Sequence, residues 1–100
     1  MKTTIHEQDE RIVAVLEGEL DTAAAQDVEN ALKPLFVDDN RDILLDCAQL
    51  DYIASSGLRI LVSLLKNAKA NGRKVTLKDV NDDIKNVFKL TGFLTLFDFE

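Results

Sequence analysis

The chain has 100 residues, which is enough for one domain with one hydrophobic core. Hydrophobic residues make up 46% of it and charged residues 30%, and no apolar run approaches the ~20 residues of a membrane span. The formal net charge of −6 argues against nucleic acid or an anionic membrane as the partner, because both require basic surfaces.

Two features of the sequence indicate a cytoplasmic protein. Residues 1–7 contain no apolar segment of the kind that forms a secretory signal. Cys47 is the only cysteine, so no internal disulfide can form, as is typical of proteins in a reducing compartment. Because Cys47 follows an apolar strand, we expect a buried and unreactive thiol.

A pair of strands is predicted first. Residues 3–8 favour an edge strand, and residues 11–17 are apolar on both alternating faces, which predicts a strand covered on both sides. The two strands can pair as a hairpin across the polar residues between them. We expect residues 18–21 to end the second strand.

A helix is predicted next, over residues 21–36. Asp21 or Thr22 can cap its N-terminus, because the side-chain oxygen of either accepts a free backbone N–H. Pro34 lacks an N–H donor and should loosen the last turn. The apolar positions recur at helical spacing and are Ala24, Ala25, Val28, Leu32 and Leu35.

A polar connection over residues 37–42 leads to a short apolar strand at residues 43–46, and we expect residues 47–52 to link that strand to the next helix. Asp38, Asp39 and Asp42 are more typical of a solvated acidic loop than of a cation site. The loop lacks the glycine and the bidentate glutamate of an EF-hand. We therefore predict no metal here.

Residues 56–70 predict the central helix, with a wide apolar stripe. Ser55 or Ser56 can cap it, Gly57 keeps the adjacent backbone free of a side chain, and residues 71–72, Asn-Gly, supply its C-terminal stop. A phosphoryl group at its start would meet the positive end of the helix. The same residues also fit a capped helix with no further function.

The C-terminal part predicts a strand at residues 74–77, a short helix capped by Asn81, and a last strand or docked tail at residues 93–99. The element order is then β-β-α-β-α-β-α-β in a single domain over residues 1–100. Strands that alternate with helices favour parallel pairing and right-handed crossovers, so the predicted fold class is α/β.

Signals for catalysis are weak. A nucleophilic serine needs a base within reach, and His6, the only histidine, lies on the predicted edge strand far along the chain from Ser55. The chain contains no G-x-S-x-G elbow, no Walker A motif and no G-x-G-x-x-G motif. One cysteine and one histidine cannot form a structural zinc site. We therefore predict no enzyme, no cofactor and no metal.

Two carboxylates are candidates for a role beside the serines. Asp21 and Asp46 both follow predicted strands, where an α/β sheet presents its functional loops. They can orient a serine hydroxyl there, or they can be one helix cap and one charge at a strand end. Position alone favours neither interpretation.

Two segments carry a family resemblance. Residues 18–23 read Gly-Glu-Leu-Asp-Thr-Ala, with a G-x-L-D element before the first helix. Asp46 is followed by Leu50, Tyr52 and Ile53 and then by Ser-Ser-Gly-Leu at residues 55–58. In this order, and over nearly the whole chain, they resemble a STAS domain of the anti-sigma factor antagonist type. The resemblance implies a mixed, mostly parallel sheet of four to five strands with the helices packed on one side.

The resemblance also implies a switch. Members of this family bind a GHKL-type serine kinase that is also an anti-sigma factor, and they release it when a signature serine is phosphorylated. That serine corresponds to Ser55, with Ser56 after it, and a PP2C-type phosphatase would remove the phosphate. We expect Asp21 and the exposed side of the central helix to complete the partner-binding surface, through Arg59, Ser63 and Lys66.

One residue departs from the family signature. The residue before the serine is usually Asp, and here it is Ala54. The change removes a carboxylate, so it could slow phosphorylation, alter the choice of kinase, or mark a member that is not phosphorylated. Two other hypotheses stay open. One is a binding module without phosphorylation in a lipid or small-molecule transport system, and the other is an enzyme that uses Ser55 or Cys47.

Overall fold

The computed structural model describes residues 1–36 and 41–100, and in these residues five strands form one sheet. The strands are β1 Lys2–Glu7, β2 Arg11–Leu20, β3 Asp42–Ile53, β4 Val75–Lys78 and β5 Asp98–Phe99. They lie side by side in sequence order. β1 is antiparallel to β2, and every other neighbouring pair is parallel. The predicted hairpin, edge strand and parallel pairing are confirmed.

In the described part of the chain, three α-helices and one 3₁₀ turn lie between the parallel strands. They are α1 Thr22–Leu32, the 3₁₀ turn Lys33–Phe36, α2 Ser55–Ala70 and α3 Asp82–Leu90. Each crossover advances one strand in the same direction, and right-handed crossovers of that kind place all their helices on one face of the sheet. The predicted α/β fold, with its mixed and mostly parallel sheet, is confirmed.

The core lies between the sheet and these helices. From β2 it takes Ile12, Ala14 and Leu16, whose side chains alternate with those of Val13 and Val15. Val13 is 8% exposed, yet it lies outside the core cluster. The second face of this strand is therefore also shielded from water at Val13, and the prediction of a strand covered on both sides is confirmed there.

Two predicted strand ends are wrong. β2 continues to Leu20, and β3 continues to Ile53, although we expected ends near Glu17 and Asp46. β3 contains extra residues at two register shifts against β2, between Asp46 and Gln49 and again after Leu50. These bulges break the alternation of buried and exposed side chains, so this half of β3 does not have the sequence pattern of a strand.

The ends of the helices follow the sequence with one exception. The Asp21 side chain caps α1, and the Asn81 side chain caps α3. The chain leaves α-helical geometry at Lys33, beside Pro34, as predicted. The exception is α2, which begins at Ser55 with neither serine as its cap. Its other end stops as predicted, at Asn71 and at Gly72 with a positive φ of 71°.

Aromatic side chains attach the C-terminal segment to α3. Phe97 and Phe99 meet the ring of Phe88 edge-on, with centroids 5.3 and 5.9 Å apart. Residues 98–99 form the short edge strand β5, and the residues before them form turns against α3. Both predicted descriptions, a last strand and a docked tail, therefore apply.

Part of the predicted acidic loop lies outside the described residues. These are residues 37–40, which include Asp38 and Asp39. Asp42 begins β3, and its side chain accepts a hydrogen bond from the backbone N–H of Lys74 at 3.0 Å. Of the helices in residues 1–36 and 41–100, none is both long and apolar enough to cross a membrane.

The thiol of Cys47 is buried in the core, as the sequence predicts. Burial, with a smaller contribution from the neighbouring Asp46 charge, raises its pKa from 9.0 to about 12. The neutral thiol is therefore the form present at physiological pH, and it is a poor nucleophile.

We expect iodoacetamide to label Cys47 very slowly in the native protein at pH 8. Raising the pKa from 9.0 to about 12 lowers the thiolate fraction about a thousandfold, and burial also blocks access. Mass spectrometry of timed samples measures the rate, and the same protein in guanidinium chloride is the control. Equal labelling rates in the two conditions would contradict the burial of Cys47.

Candidate functional site

The predicted site forms where α2 begins, at the ends of β2 and β3. Leu20 pairs with Ile53 in the sheet, and the backbone N–H of Ala54 donates to the carbonyl oxygen of Leu20 at 2.8 Å. Asp21 follows Leu20 directly, so the start of α1 lies one strand away from the start of α2. The structure therefore brings Asp21 and Ser55 to the same edge of the sheet.

Gly57 permits close packing between α2 and β2. Gly57 is buried, and a Cβ atom built on it would lie 2.4 Å from Cγ of Leu20. Leu20 is itself fully buried. A glycine is required because the first turn of α2 rests directly on the Leu20 side chain. The sequence predicts that Gly57 leaves the backbone at the start of α2 free of a side chain. The structure shows that the Leu20 side chain occupies the position where a Cβ atom would lie.

The two serines have different environments. Ser55 is exposed, and its hydroxyl has no hydrogen-bond partner in the described part of the chain. Ser56 is half-buried, and its Oγ lies 3.3 Å from Oγ1 of Thr22 in the first turn of α1. Ser55 is therefore the hydroxyl that an external protein can reach, and Ser56 connects the two helix starts.

The start of α2 differs from those of the other two helices. Its N-cap is Ala54, which has no side-chain oxygen to accept a backbone N–H. The predicted Ser55 or Ser56 cap is therefore wrong, because both residues lie inside the helix. At α1, by contrast, Asp21 Oδ1 accepts from Ala24 N at 2.8 Å. The first N–H groups of α2 thus lack a side-chain acceptor beside Ser55.

Asp46 does not belong to this site. It lies within β3, pairs with Val15 and Lys78, and accepts a hydrogen bond from the N–H of Ala48 at 3.1 Å. About 20–25 Å of extended strand separates it from Ala54. The expectation that Asp46 lies beside the serines is therefore wrong, and the cause is the unrecognised length of β3.

The exposed residues of α2 form a ridge between two grooves. Arg59 lies on the ridge and lines both of them. Ser63 faces the groove toward α1 and the 3₁₀ turn, and its hydroxyl donates to the Arg59 carbonyl oxygen at 3.0 Å. Ser55 and Lys66 face the other groove, which has a volume of about 340 Å³ and is called the Ser55 groove below. The four predicted residues therefore lie along one side of α2 and border two grooves, which meet at Arg59.

Two residues of the Ser55 groove were not predicted from the sequence. Thr91 and Phe93, which follow α3, form its wall opposite α2. The sequence shows Thr91 and Gly92 as a helix stop, and it gives no sign that the segment returns to α2. Tyr52, the residue before the last one of β3, is also exposed, at 50%.

Comparisons with known proteins identify the family of this domain. The sequence model of the STAS domain matches residues 2–100. The chain belongs to the STAS domain family.

Two relatives resemble this chain over most of its length. BtrV of Bordetella bronchiseptica, a candidate anti-sigma factor antagonist by name, is 31% identical over 97% of this chain and 84% of its own. The anti-sigma-B factor antagonist of Staphylococcus aureus is 33% identical over 79% of this chain and 73% of its own.

The solved structure of the anti-sigma factor antagonist SpoIIAA, unphosphorylated, superposes with a TM-score of 0.82. It covers 99% of this chain and 88% of its own at 17% identity, so the likeness concerns the fold. SpoIIAA of Bacillus has also been solved phosphorylated, with a TM-score of 0.76 at 18% identity.

Gly57→Ala should destabilise this STAS domain by about 1–3 kcal/mol, because the added methyl overlaps Leu20. The higher helix propensity of alanine, about 1 kcal/mol, offsets only part of this cost. Urea unfolding followed by circular dichroism measures the free energy of unfolding. In a Leu20→Ala background the same change should cost less, and an equal cost in both backgrounds would contradict the contact.

Ala54→Asp should raise the free energy of unfolding by about 0.5–2 kcal/mol, since a carboxylate at the N-cap accepts a free N–H of α2. Ala54→Asn is the matched control, because it supplies a cap without a charge. Urea unfolding at pH 7 compares the three proteins. If both variants are no more stable than the wild type, the first turn of α2 already has other acceptors.

Proposed function

We propose that this STAS domain is an anti-sigma factor antagonist that phosphorylation of Ser55 switches off. With Ser55 unphosphorylated, the domain binds an anti-sigma factor that is also a GHKL-type serine kinase. The kinase transfers phosphate to Ser55, and the phosphorylated domain leaves. A PP2C-type phosphatase restores the binding form. The chain itself acts as a binding protein with no catalytic group.

The observation that carries this proposal is the free hydroxyl of Ser55 at the start of α2. It is exposed and lacks a hydrogen-bond partner in the described part of the chain, whereas Ser56 is half-buried beside Thr22. A kinase must reach the hydroxyl oxygen from outside, so Ser55 is the better acceptor. The names of the relatives, and the two solved forms of SpoIIAA, support the same function.

The fold tolerates a phosphate at this position. A phosphoserine carries about −1.5 to −2 charges at neutral pH. At the first position of α2 this charge lies next to backbone N–H groups that no side chain caps, where an anion is favourable. The phosphate therefore need not unfold the domain to act, and it changes the surface that a partner meets.

The same phosphate would weaken a docked complex. A partner that covers Ser55 excludes water, and a buried charge without a partner is costly. Removing one member of a buried interfacial contact commonly costs about 2–5 kcal/mol, which is enough to release a protein. Asp21 adds a carboxylate at the same edge, so a phosphate there increases the local negative charge.

An enzymatic role for Ser55 finds no support in the described residues. His6 lies on β1 and pairs with Val13, seven residues along β2 from Leu20. That separation is about 20 Å, too far for proton transfer from Ser55. The thiol of Cys47 is buried and held neutral by its raised pKa. In the proposed phosphorylation of Ser55, the partner kinase would therefore supply the nucleotide and the phosphate.

Protein purified from its own cells should carry phosphate on Ser55 in part of the molecules. Trypsin cleaves after Arg41 and Arg59, so one peptide, residues 42–59, contains both serines. Fragmentation of this peptide in the mass spectrometer locates the phosphate. Ser55→Ala should abolish it, and Ser56→Ala, the matched control, should keep it. If the Ser55→Ala protein still carries phosphate, another residue is the phosphate acceptor.

Ser55→Asp should also lose the anti-sigma factor. Tagged wild-type protein, Ser55→Asp and Asn86→Asp are each incubated with lysate of the source cell, and the bound proteins are identified by mass spectrometry. Asn86 is exposed on α3, so that control adds the same charge at another place. Loss of an anti-sigma factor from Ser55→Asp alone supports the proposal. Transporter subunits bound equally by all three proteins would contradict it.

A further inference from the structure

The charge on α2 differs from that of the rest of the chain. All 18 acidic residues lie outside α2, whereas Arg59, Lys66 and Lys69 lie within it. Arg59 and Lys66 are exposed and make no ion pair within the described residues. In a chain of net charge −6, α2 therefore presents two exposed cations that are not ion-paired within the described residues, although Glu29 lines the groove toward α1 together with Arg59.

The Ser55 groove combines these cations with apolar surface. Leu58 and Val62 are buried on α2, Leu58 directly before Arg59 and Val62 between Arg59 and Lys66. Phe93 lines the same groove after α3 and is partly exposed. Among residues 1–36 and 41–100, no acidic residue lines the groove. An occupant would therefore meet an apolar base with one positive charge toward each end.

We propose that the Ser55 groove holds an acidic and apolar segment of the anti-sigma factor. One apolar side chain of that segment packs on Leu58, Val62 and Phe93, and two carboxylates pair with Arg59 and Lys66. This inference rests on the proposed function, and it adds the chemistry of the partner. Among protein surfaces, one of the opposite charge is the one that these unpaired cations favour.

The spacing of the two cations sets the spacing of the carboxylates. Arg59 and Lys66 are seven residues apart on one helix, so their positions lie about 10 Å apart on the same side. Two carboxylates seven residues apart on a partner helix match this distance, with the apolar residue three or four positions after the first. The partner segment is therefore an amphipathic helix with an acidic border.

The groove also explains how a phosphate on Ser55 would act without a conformational change. Ser55 and Arg59 are four residues apart on α2, a spacing at which side chains of opposite charge pair along a helix. A phosphate on Ser55 would therefore compete for Arg59 with the carboxylate of the partner. The domain would lose the partner through this competition as well as through repulsion.

Charge reversal on α2 tests the inference. Arg59→Glu and Lys66→Glu are each compared with Lys74→Glu, which makes the same change in charge just before β4, at the opposite end of the sheet. The probe is the anti-sigma factor that the wild-type protein captures from the lysate. It is purified, and isothermal titration calorimetry measures its affinity for each variant. Both α2 variants should bind about tenfold or more weakly, while Lys74→Glu binds like the wild type. Circular dichroism checks that all three variants are folded.

The outcomes separate the two proposals. If the wild type binds the anti-sigma factor and the α2 variants bind as tightly as Lys74→Glu, the inference that the partner binds in the Ser55 groove is wrong and the proposed function stands. If the wild type binds no anti-sigma factor, both fail. A further variant, Phe93→Ala, should also weaken binding through lost apolar contact, and unchanged affinity in a folded protein would contradict the apolar base of the groove.

A footprint gives a second readout. In the ¹⁵N-labelled domain, addition of the anti-sigma factor should broaden the backbone signals of α2, Thr91 and Phe93 before those of β4. Broadening confined to the groove that Ser63 lines, toward α1 and the 3₁₀ turn, would place the partner on the other side of Arg59 and overturn the inference.

Discussion

The contact between Gly57 and Leu20 determines where the site can exist. Without a side chain at Gly57, the first turn of α2 lies directly on the Leu20 side chain at the end of β2. The start of α2 is thereby fixed beside Asp21 and the start of α1. A helix held in this way has little freedom to tilt when charge is added to its first turn. A phosphate on Ser55 would therefore act by changing the surface that a partner contacts, without moving α2.

The separation of charge along the chain is the second constraint. The strands, loops and other helices carry all the carboxylates, and α2 carries cations on its exposed side. An acidic surface that approaches α2 therefore meets cations and no acidic residue of that helix. Electrostatic complementarity of this kind selects the orientation of docking and speeds association more than it raises affinity. The apolar base of the Ser55 groove would then supply most of the affinity, since apolar contact does not depend on salt.

Periodicity and capping residues were sufficient to predict the element order and most helix ends. Asp21, Asn81 and the Asn-Gly stop after α2 act locally, so their effect is visible in the sequence. The length of β3 was not visible, because its bulges remove the alternation that identifies a strand. This single error also misplaced Asp46. The Ser55 groove depends on the return of Phe93 to α2, a tertiary contact that no local pattern encodes. The choice of Ser55 as the expected phosphorylated residue, in contrast, came from the resemblance to the family, and it stays a prediction.

Ala54 occupies the position before Ser55 at which the family signature usually has aspartate, and this difference changes the electrostatics at the start of α2. An aspartate at this N-cap would satisfy a free N–H of α2 and would place a carboxylate next to the serine. With alanine the helix start stays electropositive, so a phosphate on Ser55 meets the uncapped N–H groups without competition from a neighbouring carboxylate. The same feature gives an anionic partner two attractive elements on one helix, its first turn and its cations. In the proposed switch, the departure from the family signature would thus favour an acidic partner surface at α2, and a phosphate on Ser55 would compete with that partner for the same positive charge.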